Sequence, residues 1–330
     1  MRFGFPGTRP DYHAYEALQI FFGADNMPEF VPGQPSMWLE YGEKRYDIPA
    51  FSSHKEMERH IYLLVRELTG LSSPWGCLTG VRPTKIVNTL FASGSDRDRV
   101  LEELTGFYQA SGEKAELALK TAELQRPFLD LQKSDPSRIG VYLGIPFCPT
   151  RCVYCSFTSN SIEKYRRSLS RYMELMYAEM ADCARLIKEQ GLKVESVYLG
   201  GGTPTSLPEP VFEEYIRNVS ECFIEPSAWI SEFAVEAGRP DSITSGKLDI
   251  CKSAGATRIS VNPQTMNDET LKLIGRHHTS GQTLNAFGLS RKCGFDNINM
   301  DIILGLPGEG TQDVDYTLSE IAKLKPDDQI

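Results

Sequence analysis

The chain has 330 residues, 41% hydrophobic and 24% charged, which suits one large globular domain or two ordinary ones with no need of disulfide staples. Its 35 basic and 44 acidic residues leave a net charge of −9, which argues against nucleic acid or an anionic membrane surface as the main partner. No run of eighteen apolar residues occurs, and the first residues lack the apolar stretch and small-residue cleavage site of a signal peptide. A cytoplasmic protein with no transmembrane segment is expected.

Residues 1–135 read as a smaller α/β region. Residues 37–48 carry two short strand patterns about a glycine-containing turn. Residues 54–69 place Met57, Ile61, Leu64, Val65 and Leu68 at helical spacing, with Ser52 or Ser53 as the cap. A further helix is predicted from about Pro83, and a charged one over 113–131. No activity follows from this region. Arg82 and Lys85 are either anion contacts or ordinary surface charges. The polar segment 133–138, with Pro136, marks a boundary before a second domain over 138–330.

There the pattern turns to strand, loop and helix in alternation. Strands are predicted at 139–145, 194–199, 230–236, 256–262 and 297–304, and helices at about 161–190, 209–222, 241–253, 281–293 and 311–324. Such alternation implies a parallel sheet with right-handed crossovers and helices outside a closed or partly closed barrel. The expected fold class is therefore α/β, a partial (β/α) barrel preceded by the smaller N-terminal region. The final "PDDQI" reads as the entry to a sixth strand, so the barrel is expected to be incomplete and the chain a piece of a longer protein. In such barrels ligands gather at the C-terminal ends of the strands.

The features with chemical content all fall at those ends. Of eight cysteines, Cys148, Cys152 and Cys155 cluster in "IPFCPTRCVYCSFTSN" after the first barrel strand. Cys183, Cys222, Cys251 and Cys293 are expected as small buried hydrophobes, and Cys77 as a core or loop thiol. Thiolates suit zinc or iron–sulfur clusters. A structural zinc wants a fourth ligand, for which His277 and His278 are available outside the loop. A [4Fe–4S] cluster on three cysteines instead leaves one iron to bind a small molecule such as S-adenosylmethionine.

"GGGTPT" (200–205) follows the second barrel strand and either cradles a ligand or makes a tight turn into the next helix. Glu236 ends the third strand, as a ligand acceptor or an ion-pair partner of Arg239. Gln264 follows the fourth, as a ligand contact or a loop cap. Arg276 is either a clamp for a carboxylate or a surface arginine. Asp301 lies late in an apolar fifth strand, where a carboxylate needs partners.

The C-x3-C-x2-C spacing, with Tyr154 before the last cysteine, resembles the signature of the radical S-adenosylmethionine superfamily. With "VEAGRP", "SVNPQT", "IGRHHT" and "NMDIILGLPG" added, residues 138–330 resemble the oxygen-independent coproporphyrinogen III oxidase family, in its HemZ-type dehydrogenase branch. "PWGCLTGVRPTKI" resembles that branch's own N-terminal extension. The resemblance implies a [4Fe–4S] cluster on Cys148, Cys152 and Cys155. It also implies S-adenosyl-L-methionine contacts from Tyr142, Tyr154, Gly201, Gly202, Thr203, Glu236, Gln264, Arg276 and Asp301. The implied reaction is oxidative decarboxylation of two propionates of coproporphyrinogen III by way of a 5′-deoxyadenosyl radical, with a reducing partner of flavodoxin or ferredoxin type. Position 144 is glycine where the best-studied oxidases carry histidine, and 157 is phenylalanine where they carry a further cysteine. The Cys-x-Phe form is similar to haem chaperones of the same superfamily, which bind haem without decarboxylation, so porphyrinogen and haem are both implied ligands.

Overall fold

The computed structural model describes residues 1–23, 26–78 and 82–329, and contacts divide the chain between Ser134 and Asp135 into two units. The first begins with β1 (Arg2–Gly4), α1 (Tyr12–Phe22), β2 (Glu29–Val31), β3 (Met37–Tyr41), β4 (Lys44–Ile48) and α2 (His54–Thr69). It continues with α3 (Pro83–Ala92), α4 (Arg97–Glu102) and α5 (Gly112–Ser134). Its sheet runs β2-β1-β3-β4, parallel only between β1 and β2. Asp11 accepts the amides of His13 and Ala14 to start α1, and Ser53 accepts that of Glu56 to start α2. The helical stripe Met57, Ile61 and Val65 packs on Phe3, Leu39 and Ile48 of the sheet. A second core joins Tyr62 to Val87, Val100, Leu104 and Leu119 of the following helices. β1, α1 and β2 have no counterpart in the sequence reading: a three-residue strand is too short to show a period of two.

The second unit holds β5 (Arg138–Ile145), β6 (Phe147–Cys148), β7 (Asn160–Ser161), α6 (Arg166–Glu189), β8 (Lys193–Gly201), α7 (Glu209–Val219) and β9 (Glu232–Glu236). After these come α8 (Ser245–Ser253), β10 (Arg258–Ser260), α9 (Asp268–Leu273), α10 (Ser280–Lys292), β11 (Ile298–Met300), α11 (Thr311–Leu324) and β12 (Asp328–Gln329). Six strands pair in the linear order β12-β11-β10-β9-β8-β5, every pair parallel. The expected sixth strand is thus present as β12, and the sheet is open.

Register separates the two faces of this sheet. One face presents Leu143, Ile145, Val197, Leu199, Phe233, Val235, Ile259, Ile298 and Met300, all in the core. Buried residues from α6, α7, α8, α10 and α11 join that same core, for example Met173, Phe212, Leu248, Phe287 and Ile321. The opposite face carries Tyr142, Gly144, Tyr198, Gly200, Ala234, Glu236, Arg258, Ser260 and Asn299. Helices on one face and polar groups on the other make this a segment of a barrel wall rather than a doubly wound sheet.

Several predicted elements are shortened. β10 and β11 are three residues each, because beyond Ser260 the chain turns to irregular backbone, with Gln264 at φ 66° and a lone bridge to Ile302. α6 starts at Arg166 rather than near 161, since Asn160 and Ser161 pair with Phe147 and Cys148 to close the cysteine loop. Cys251 and Cys77 are buried as expected, but Cys183 is exposed on α6 and Cys222 and Cys293 are half-buried. Among the described residues no helix is long and apolar enough to cross a membrane.

Candidate active site

β5 and β8 carry the same tetrapeptide, Val-Tyr-Leu-Gly, at 141–144 and 197–200, and pair it in register. Tyr142 therefore stacks on Tyr198, with ring centroids 5.8 Å apart and planes 14° from parallel. Gly144 lies beside Gly200 in the same register. A Cβ on Gly200 would lie 2.8 Å from Glu236 Oε2.

Beyond β5 the chain enters the cysteine loop. Cys148 is buried, Cys152 and Cys155 are half-buried, and all three are free thiols. Burial pushes the Cys148 thiol up, against the Thr203 hydroxyl 3.4 Å away. Cys152 and Cys155 lie close enough to Cys148 for their charges to push its thiol up further, and a cluster of thiols suits zinc or an iron–sulfur group. His277 is exposed and His278 is buried away from solvent.

The glycine run packs directly on that loop. Gly201 has φ 99° and Gly202 has no room for a side chain: a Cβ would fall 2.5 Å from Phe147 O and 3.0 Å from Cys148 Sγ. The Gly202 amide donates to Ile145 O at 2.6 Å and the Thr203 amide to Phe147 O at 2.8 Å. These two amides are therefore engaged in holding the loop, and what the run can offer a ligand is its carbonyl oxygens.

Arg276 is 2% exposed, so the surface alternative is excluded. Its guanidinium donates to the Tyr154 hydroxyl at 3.0 Å and to Gly238 O, while its Nε is buried with no partner. Burial pushes Tyr154 up to about 12, with Arg276 acting against it. His278, also 2% exposed, makes no hydrogen bond of good geometry through either ring nitrogen, and burial followed by the nearby Arg276 charge pushes it down to about 3. Orphaned polar atoms at this depth mark a place where a polar ligand or water would be satisfied.

Glu236 does not pair with Arg239. Burial pushes its carboxyl up to about 7, the Tyr198 hydroxyl works against that rise, and Asp301 adds to it. Asp301 follows β11 and accepts from Asn262 Nδ2 at 2.7 Å and Asn299 Nδ2 at 2.6 Å; burial raises its carboxyl as well. Gln264 donates its amide to Asp301 O at 3.0 Å and accepts from the Ile303 amide at 2.9 Å, so its backbone ties the ends of two strands together. The arrangement joins three thiols, two carboxyls of raised pKa, a buried guanidinium and tyrosine hydroxyls on one strand-end rim. It can hold a ligand bearing hydroxyls, an ammonium and a carboxylate beside a thiolate-bound cluster.

Tyr198, Asn262, Asn299 and Arg239 were not among the expected site residues. Tyr198 had a signal, the repeated Val-Tyr-Leu-Gly. The asparagines had only their alternation with apolar neighbours, and Arg239 had only its place beside Glu236. Of the N-terminal basic residues, Arg82 is exposed, and Lys85 lines a cavity of about 340 Å³ with Lys55, Cys77 and Glu103.

The sequence profile of the Radical SAM superfamily matches residues 142–321. The chain is 38% identical over 283 residues to the oxygen-independent coproporphyrinogen-III oxidase-like protein HemZ of Bacillus subtilis, covering 84% of this chain and 56% of that protein. It is 34% identical over 183 residues to the heme chaperone HemW of the same organism, covering 56% and 47%. Among solved structures, the coproporphyrinogen III oxidase HemN of Escherichia coli, described as a radical SAM enzyme, aligns with a TM-score of 0.52 and 26% identity over 62% of this chain and 47% of that one. The chain spans about half the length of the curated relatives it matches.

Proposed function

The chain belongs to the radical S-adenosylmethionine superfamily, whose members use a [4Fe–4S] cluster and S-adenosylmethionine, and on that premise we propose that its strand-end rim binds both and directs radical chemistry at a porphyrinogen. Cys148, Cys152 and Cys155 would hold the cluster. The buried donor Arg276 suits the methionyl carboxylate, the Gly200–Gly202 carbonyls suit the ammonium, and Glu236 and Asp301 suit ribose hydroxyls. When bound, these cofactors supply hydrogen abstraction from an unactivated carbon. The chain's own residues bind, orient and exclude water. The observation that carries this reading is the convergence of three free thiols with a polar sheet face whose other side is wholly apolar.

The proposed reaction is oxidative decarboxylation of coproporphyrinogen III to protoporphyrinogen IX, supported by the names of the HemZ and HemN relatives. A reducing protein of flavodoxin or ferredoxin type would supply the electron. The second reading, a haem-binding chaperone, is favoured by the similarity to HemW and by Phe157, 66% exposed where a further thiol would have offered another ligand. Anaerobic reconstitution followed by product analysis separates the two. Vinyl product with methionine and deoxyadenosine release is expected. Stoichiometric haem retention without vinyl product would replace the first reading by the second. Single Ala variants of Cys148, Cys152 and Cys155 should lose the cluster, and a full cluster in all three would overturn the ligand assignment.

A further inference from the structure

Arg239 leaves the end of β9 and is buried, 3% exposed, against the cysteine loop. Its guanidinium makes five contacts. It donates Nε to Asp241 Oδ1 at 3.3 Å and Nη2 to Asp241 Oδ2 at 3.4 Å. It also donates Nη1 to Thr150 O at 3.2 Å, Nη2 to Thr150 Oγ1 at 3.0 Å, and Nη1 to Cys152 Sγ at 3.8 Å. Thr150 Oγ1 in turn donates to Gly275 O at 2.8 Å, and the Val153 amide donates to Ile274 O at 3.0 Å. Gly275 has φ 78°, and a Cβ there would fall 2.9 Å from Arg151 O, so the two loops touch backbone to backbone.

The three sulfurs are thus placed in unlike surroundings. Cys148 has a neutral hydroxyl, that of Thr203, and Cys152 has a cationic N–H donor. Among the described residues no side-chain donor reaches Cys155. An N–H···S hydrogen bond and a nearby positive charge stabilise the more negative, reduced form of a thiolate-bound cluster, and so raise its reduction potential. The planar fork of arginine allows one side chain to fix a loop and donate to sulfur together, which an ammonium cannot reproduce. Asp241, its side chain 19% accessible, faces the Nε and Nη2 edge of the guanidinium and offsets part of that charge.

Resting on the cluster assignment proposed above, we infer that Arg239 is a positioning residue that clamps the cysteine loop at Thr150 and sets the cluster's reduction potential through Cys152, with Asp241 as the counterweight. The two residues then make predictions of opposite sign. Arg239→Gln removes the charge and lowers the midpoint potential. Asp241→Asn keeps an acceptor for Arg239 but removes the opposing carboxylate, and raises it.

The test is an EPR-monitored redox titration of the reconstituted full chain, with iron and sulfide per chain measured for each protein. Midpoints below wild type for Arg239→Gln and above it for Asp241→Asn are expected. Unmoved midpoints, or shifts of one sign in both variants, would overturn the inference, because a purely structural clamp has no reason to shift them oppositely. If Arg239→Gln fails to load, Asp241→Asn decides alone: a raised midpoint supports the inference and an unchanged or lowered one overturns it. A wild-type chain without cluster, or Cys152→Ala with a full one, counts against the ligand assignment instead and is read from the iron analysis.

Discussion

Glu236 offers the most direct quantitative check on the site. Its carboxyl is held near 7 instead of the ordinary 4.5, chiefly by burial, with Asp301 adding repulsion. A difference of that size, at about 1.4 kcal/mol per pH unit, corresponds to about 3 kcal/mol of stability. The sign follows from proton binding. Below the unfolded pKa, Glu236 is protonated in both states and behaves like glutamine. Between 4.5 and about 7 the unfolded chain releases the proton while the folded one keeps it, so stability falls as pH rises; above 7 the loss is complete. Glu236→Gln should therefore match wild type near pH 4.5 and exceed it by about 3 kcal/mol at pH 8. Urea unfolding of the cofactor-free chain across that range, with the difference between the two proteins plotted against pH, measures this. A difference independent of pH, or a wild type more stable at pH 8, would refute the buried environment assigned to this carboxyl. Asp301→Asn in the Glu236 background should reduce the pH-dependent part, since it removes a like charge.

Two further predictions address the glycine run and Arg276. Gly202→Ala places a methyl against backbone oxygens and Cys148 Sγ, an overpacking that costs about 1–3 kcal/mol, and should lower cluster content on reconstitution. Gly144→Ala, whose methyl meets only the movable Tyr142 ring at 3.3 Å, should load normally; equal loading of both variants would remove the close-approach argument. Arg276→Gln takes a charged donor from Tyr154 and Gly238 O, and should weaken S-adenosylmethionine binding about ten- to a hundredfold. Equilibrium dialysis with an unchanged Kd would take Arg276 out of the binding site.

Much of the barrel was legible in the chain because its signals are local. Alternating strand and helix patterns located five of the six parallel strands and the final "PDDQI" the sixth, since period and turn residues act over a few neighbours. The cysteine spacing and the Gly200–Thr203 run are likewise contiguous, so their chemistry could be read before any contact was known. The N-terminal β1 and β2 escaped because such short strands are held by pairing, β2 with β1 and β1 with β3, rather than by a pattern of their own. α6 was placed too early for a similar reason: the β6–β7 pair competes for its first residues.

What the sequence determined by itself is the chemical inventory: three thiols at a spacing for a cluster, a glycine run, and single polar residues at strand ends. Only the tertiary structure decided how these residues are used. Arg239 stands three positions from Glu236 in sequence, which makes an ion pair the natural expectation. In the fold it turns to Asp241, Thr150 and Cys152, and Glu236 is left beside Tyr198 and Asp301 with a raised pKa. The physical reason is that burial and charge are sums over everything packed around a group, and apart from Asp241 those neighbours lie tens of residues away along the chain.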